Sequence, residues 1–416
     1  MPRLFILAMT LTLTAVAGAQ EIQVSTQDWP WWRGPSHNGI APPDQQPPTK
    51  WSNTENVLWK TPIAGRSHGS ATVVGDKVFL AAADMEQDEQ SVYCLDRNTG
   101  KQLWRTRVHE GGLTKKANAK ASQASSTAAC DGQRVFINFL NNNAIYTTAL
   151  DLDGKQLWQT KISDYVLHQG YGSSPALYQS LVLVSADNKG GGAIAALERT
   201  TGHIVWRHER PKTPNYPSPI VLPVAGKDQL LLTGCDKVAS FEPLTGKPLW
   251  EIKGSTTECV STTVTDGKRI FTSGGYPRNH ISAIEADGSG KVAWESKTRV
   301  YVPSMLVRQG YLYAVADAGV AYCFQSATGE ELWSARLGGT FSSSPVMVGD
   351  LIYVTNERGT TIIYKADPQG YNLVAENKID GEVFSTPSIC GSRIYLRVAE
   401  QVAGKRQEYL YCLGEK

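Results

Sequence analysis

Short apolar runs separated by polar turns recur along this chain in nearly the same order each time. Lys77-Val-Phe-Leu80, Arg134-Val-Phe-Ile137, Arg269-Ile-Phe-Thr272 and Leu351-Ile-Tyr-Val354 are rich in β-branched and aromatic residues, which suit a packed, pleated surface. Further on comes a second pattern, complete in Cys94-Leu-Asp96-Arg-Asn-Thr99-Gly100-Lys-Gln-Leu-Trp104. Glycine supplies positive φ in such a turn, and Asp, Asn and Thr side chains bond the local backbone. The runs on either side are therefore predicted to be two antiparallel strands of one hairpin.

The hairpin is used many times. Glycine precedes tryptophan by four residues in Gly100/Trp104, Gly154/Trp158, Gly202/Trp206, Gly246/Trp250, Gly290/Trp294 and Gly329/Trp333. A seventh copy, from Asp367 to Val374, keeps Gly370 and puts Val374 where tryptophan is expected; an eighth is split between the ends of the chain. Strand and turn repeating every roughly 40 to 50 residues is the signature of a propeller blade. The fold class that follows is all-β, an eight-bladed propeller of four-stranded antiparallel blades. One large aromatic per blade would fill the wedge between neighbours, burying on the order of 150 to 250 Å² each.

At the N-terminal end Asn56-Val-Leu-Trp59-Lys matches the end of a repeat, while Tyr409-Leu-Tyr-Cys412-Leu-Gly414 matches its middle. The N-terminal strand should complete the last blade, which removes the open sheet edges. Eight inner strands can be registered on Ser70, Thr127, Ser174, Ser218, Thr262, Ser304, Ser344 and Thr386, all hydroxyl residues. Near an axis small side chains fit, and a hydroxyl can bond a neighbouring backbone; ligand binding by these hydroxyls is the lesser reading.

Composition narrows the class. The chain has 416 residues and a formal charge of +2, without the charge excess of a nucleic-acid or membrane-surface protein. Stacked repeats evade the usual size limit of a single core. Residues 1–19 carry Arg3, an apolar run and Ala17-Gly18-Ala19, the pattern of a secretory signal cleaved near Ala19, and nothing later is apolar for long enough to span a bilayer. The mature protein is expected to be exported to the periplasm or beyond and to be a monomer. Residues 20–53 read as an extended arm and 54–416 as the propeller. The arm holds Asp28-Trp-Pro-Trp-Trp-Arg-Gly-Pro35, expected to pack against the propeller wall rather than to present a ligand surface. Of the seven cysteines, Cys94, Cys323 and Cys412 occupy the small-residue position of the repeat and read as buried fillers. Cys235 and Cys259 are the one pair that sequence leaves open to bridging.

Candidate chemistry sits where outer strands link to the next inner strand. From Trp104 to Thr127 this link is long and carries His109, Glu110, Lys115, Lys116 and Lys120, either a solvated loop or an anion-binding one. Just before the hydroxyl positions stand Arg66, His68, Gln123, Tyr171, Tyr216, Glu258, Arg299, Tyr301, Phe341 and Phe384. Facing loops within the blades add Asn141 to Asn143, Asp187 to Lys189, Tyr276 to His280, and Asn356 to Arg358. Aromatic, charged and amide side chains around a concave mouth are the ingredients of a ligand site.

The Asp-x-x-Thr-Gly-Lys-x-x-Trp motif of Asp96 to Trp104 resembles the tryptophan-docking repeat of pyrroloquinoline quinone (PQQ) dehydrogenases and of the BamB-type outer-membrane assembly protein. Trp29-Pro-Trp-Trp-Arg-Gly-Pro35 resembles the opening of exported PQQ-repeat-like proteins of planctomycete-type bacteria. The resemblance implies the propeller fold and two functional classes. The dehydrogenases use an adjacent cysteine pair against the quinone and a calcium held by Glu, Asn and Asp. This chain has no Cys-Cys pair, no Cys-x-x-Cys-His and no zinc-type histidine spacing. The expectation is a non-catalytic scaffold with no cofactor and no metal, binding a protein, peptide or polysaccharide on the link face. A PQQ-dependent dehydrogenase of alcohols or sugars is the alternative.

Overall fold

A computed structural model describes residues 21–114 and 118–415; the predicted signal segment, Lys115 and Lys116 lie outside the described residues. Among those described, every regular element is a strand, and the strands form eight antiparallel sheets of four. Blades 1 to 7 are sequential: 72–110, 129–164, 176–210, 220–253, 264–296, 306–336 and 346–378. In blade 8 the strands Ser388–Cys390, Arg393–Val402 and Lys405–Leu413 are completed by Val57–Ile63, with Trp59 opposite Cys412 and Lys60 opposite Tyr411. Both ends of the chain thus share one sheet, and the ring closes as the sequence predicts.

Position in the blade explains the residue pattern. Middle strands are covered by neighbouring blades on both faces, so Val78-Phe79-Leu80-Ala81-Ala82-Ala83 is buried throughout. Outer strands meet solvent on one side, and Gln102–Glu110 is accordingly part exposed along its whole length. First strands of several neighbouring blades touch around the axis.

Each indole docks on the next blade. The ring N–H of Trp59, Trp104, Trp158, Trp206, Trp294 and Trp333 donates to a carbonyl in the following blade's turn at 2.8–3.1 Å, on Arg97, Leu152, Arg199, Pro243, Ser326 and Asp367. Two residues on, Thr61, Thr106 and Thr160 donate their hydroxyls to the carbonyls of Gly100, Gly154 and Gly202. The turn glycine is fixed by the same contact: Gly202 has φ +74°, and a Cβ there would lie 2.5 Å from the Trp158 ring. Trp250 is the exception. Its N–H reaches Oε1 of Gln229 in its own blade, and Nε2 of Gln229 donates onward to the carbonyl of Ala286 in blade 5, whose turn is one residue longer.

Blade 7 corrects the expected register by one residue. The residue aligned with the tryptophans is Ala375, opposite Ile363, because the turn from Asp367 to Asn372 is extended and the bulge falls on Val374. Trp51, from the arm, is buried in the same cluster as Ala375, and its backbone N–H bonds Asn377 at 2.9 Å.

The hydroxyl positions form a belt around the axis. The backbone N–H groups of Ser70, Thr127, Ser174, Thr262, Ser304 and Ser344 each donate to the hydroxyl of the next blade's residue at 2.9–3.0 Å. All seven cysteines are buried and free, Cys235 and Cys259 included.

Apart from Trp51, the arm lies across one end of the ring and not along its outer wall. It crosses the face opposite the links, pairing Trp29 with Val73 of blade 1 and Gly39–Ala41 with Met347 of blade 7. Between them Trp32 donates its indole N–H to Thr262 Oγ1 at 2.8 Å, and Arg33, 1% exposed, donates to the carbonyls of Met305 and Pro345. A Cβ on Gly39, at φ +77°, would strike the Arg33 guanidinium at 2.5 Å, so the arm's turn is built around that side chain.

Candidate binding site at the mouth of the propeller

On the link face the blades leave a cavity of about 730 Å³. Its floor includes Trp32 and the hydroxyl belt; its walls are link residues. Of the eleven residues expected at a site, His68, Tyr171, Tyr216, Glu258, Arg299, Tyr301 and Phe384 line it.

The other four lie elsewhere. Phe341 is 1% exposed in the hydrophobic core that joins blades 6 and 7, where its N–H is fixed by the Asp317 carbonyl. Gln123 supports the base of the long link, accepting from Gln90 and donating to the Thr114 carbonyl. Arg66 donates to the carbonyls of Ala119 and Lys120, so it staples the same link from outside the cavity. Arg358 is exposed beyond the rim.

Backbone contacts aim the wall residues. The Asp317 carboxylate takes the N–H groups of Tyr301 and Val302 at 2.8 and 3.2 Å. The segment carrying Glu258 bridges Tyr276 backbone to backbone, and the Tyr216 N–H reaches the Cys259 carbonyl. Tyr171 donates its hydroxyl to the Ser185 carbonyl at 2.9 Å.

Blades 3 to 6 thereby bring one polar cluster together. His168 Nδ1 lies 2.9 Å from the Tyr216 hydroxyl and 3.4 Å from Glu258 Oε1, and the Tyr301 hydroxyl lies 3.4 Å from Glu258 Oε2. Burial, and then the Glu258 charge, push the Tyr216 and Tyr301 phenols well above the usual tyrosine range. In a Ser-His-Asp type of triad a carboxylate holds one histidine nitrogen while the other exchanges the proton with the nucleophile. Here the Tyr216 hydroxyl and Glu258 both lie on Nδ1, so the three side chains position one another.

Across the mouth, His68 stacks on Phe384 with ring centres 4.6 Å apart. Burial first, and then Arg66, Arg406, Arg397 and Lys120, lower the His68 imidazole to about 3, so it is neutral. The long link forms a strap over this side. Lys120 pairs with Glu357 of blade 7 at 3.0 Å, Ser342 donates to the same carboxylate, and Asn118 bonds Gln169. Lys120 is thus engaged with a carboxylate of its own chain. Trp32, Lys120, His168 and Gln169 were not singled out as cavity residues from sequence. Lys120 was visible within the long link, whereas His168 shares the link of Tyr171 but carries no repeat register of its own.

A family model described as outer membrane protein assembly factor BamB matches residues 49–164, 88–335, 277–382 and 319–404, overlapping segments that run through all eight blades. The chain belongs to that family. Among its relatives, the BamB of Burkholderia pseudomallei is 24% identical over 81% of this chain and 84% of its own length. The tetrathionate hydrolase of Acidithiobacillus ferrooxidans is 23% identical over 73% of this chain, which spans 66% of that enzyme. A polyvinylalcohol dehydrogenase from a Pseudomonas species is 28% identical over half of the chain, which spans about a third of it. The BamB structure from Moraxella catarrhalis superposes with a TM-score of 0.61 at 15% identity, covering 85% of this chain and 96% of that one. A europium-containing methanol dehydrogenase gives 0.69 at 13% identity over 94% and 98%, a likeness of fold.

The dehydrogenase likeness raises PQQ and calcium, and the mouth does not fit them. No cysteine lines the cavity, and Glu258 is its one carboxylate among the described residues. Calcium takes six to eight oxygen ligands. No group of three or more His, Cys, Asp or Glu among the described residues is arranged to hold a metal.

Proposed function

We propose that this family member is an exported, non-catalytic scaffold whose mouth takes a segment of protein, peptide or polysaccharide. The observation that carries the reading is the wall itself: Tyr171, Tyr216, Tyr301 and Phe384 beside Glu258, Arg299 and His168 in a cavity whose floor includes Trp32. Aromatic faces supply apolar contact at small entropic cost, and a few fixed polar groups set orientation. The relatives named for outer-membrane protein assembly support a protein-binding role. No helix among the described residues is long and apolar enough to cross a membrane.

Screening the intact protein against peptide and glycan arrays tests the reading. Specific binders whose affinity falls at least tenfold on Tyr216→Ala or Phe384→Ala are expected. Tight binding of PQQ with calcium, or PQQ-dependent dye reduction, would overturn it in favour of the dehydrogenase alternative.

A further inference from the structure

Glu258 is an unusual carboxylate for a protein interior. Its side chain is 8% exposed, yet its contacts are two long ones, 3.4 Å to His168 and 3.4 Å to the Tyr301 hydroxyl. Other deeply buried acids of this chain are closely paired with arginine: Asp187 with Arg210 at 2.9 Å, Asp131 with Arg199 at 2.6 Å, and Glu408 with Arg397. Burying a carboxylate is costly unless a cation and hydrogen bonds compensate it. Around Glu258 the walls are Tyr216, Tyr301 and Tyr276, aromatic rings of the kind that attract a cation over their faces. Arg299, the arginine that lines this cavity, lies over the Tyr301 ring at 5.5 Å and forms no ion pair with Glu258 among the described residues.

From this geometry we infer that the Glu258 pocket receives a primary ammonium group, the lysine side chain of a peptide, with Tyr216, Tyr301 and Tyr276 around its stem. The inference rests on the proposed scaffold reading and names its ligand chemistry. A carboxylate so little exposed is reached only by a slim arm. The four-carbon lysine stem delivers its charge at the end of such an arm and packs against apolar walls on the way. An amino sugar carries its ammonium directly on a ring and cannot reach as far.

The probe is a fluorescein-labelled Gly-Lys-Gly-Lys-Gly peptide, titrated into the intact protein by anisotropy beside the same peptide acetylated on both lysines. Saturable binding of the free-amine peptide is expected, weakened roughly 10- to 100-fold by acetylation or by Glu258→Gln, the range for a charge-assisted contact. Tyr301→Phe, which keeps the ring, should bind within about threefold of wild type, and Arg358→Ala, outside the cavity, should be unchanged. Equal binding of the acetylated peptide, or full binding by Glu258→Gln, overturns the inference. Binding of glucosamine oligomers in preference to the peptide overturns the lysine assignment. If array ligands are lost on Tyr216→Ala but indifferent to Glu258→Gln, the scaffold reading stands and the ammonium pocket falls. If no array ligand binds at all, both fail.

Discussion

The two faces of this propeller are built from the same repeats and obey different rules. On the arm-bearing face six of the eight blades repeat one contact, the indole of one sector on the turn of the next, and the arm adds a buried arginine that ties blades 6 and 7. On the link face the residues ahead of the hydroxyl belt vary from blade to blade, with His68, Tyr171, Tyr216, Glu258, Tyr301 and Phe384 at the cavity and tyrosine the type that recurs. Regularity marks what holds the ring together, and departure from it marks the face that the proposed function gives to a ligand.

That contrast breaks most visibly at the closing contact. Trp59→Ala removes the indole that joins blade 8 to blade 1, and a loss of roughly 3–5 kcal/mol is expected in urea unfolding. A smaller loss falls on the turns. Gly202→Ala combines left-handed strain with a clash against Trp158 and should cost roughly 2–4 kcal/mol. Gly226→Ala has similar φ, +77°, and no atom within 4 Å, so only the strain of about 1–2 kcal/mol remains. Equal losses at the two glycines would refute docking as the reason for the motif.

Arg33→Ala leaves two buried carbonyls without their donor, a cost of about 1–3 kcal/mol. Protease cleavage within residues 34–45 should accelerate, because the arm loses its anchor. On the link face the stability effects shrink: Glu258→Gln and Tyr301→Phe should each change unfolding free energy by under about 1 kcal/mol, since the contacts they alter are long.

The last effect is one of pH, and it vanishes near neutrality. His68 is held neutral in the fold with its imidazole lowered to about 3, while in the unfolded chain it titrates near its ordinary value of 6.5. Between those values the unfolded chain binds the extra proton, so stability is full above about 6.5 and declines as pH falls toward 3. His68→Phe, which keeps the stack on Phe384, should flatten that part of the stability profile without abolishing it, because His109 and His280 are also lowered, each to about 4.

The frame was legible because docking imposes a spacing that turn chemistry alone writes into the sequence. It failed by one residue at Ala375, where a longer turn shifted the bulge. The arm was legible as an arm but not as the floor of the cavity, since nothing in Trp29-Pro-Trp-Trp indicates which surface receives it. At the mouth, residue type alone did not settle direction. Links are irregular, so strand alternation does not say which side chain turns inward: Phe341 went into the core, whereas Phe384, in the corresponding link one blade later, faces the cavity. Arg66 and Gln123 spend their polar groups on the long link.

Hydrogen–deuterium exchange on the intact protein, with and without a peptide selected from the array, tests most directly whether the irregular face is the recognition face. Slowed exchange confined to the links 166–172, 256–260 and 299–303, with the arm at 22–45 unchanged, is the result this account predicts. Protection on the arm-bearing face or along the outer strands, with those links unaffected, would contradict it.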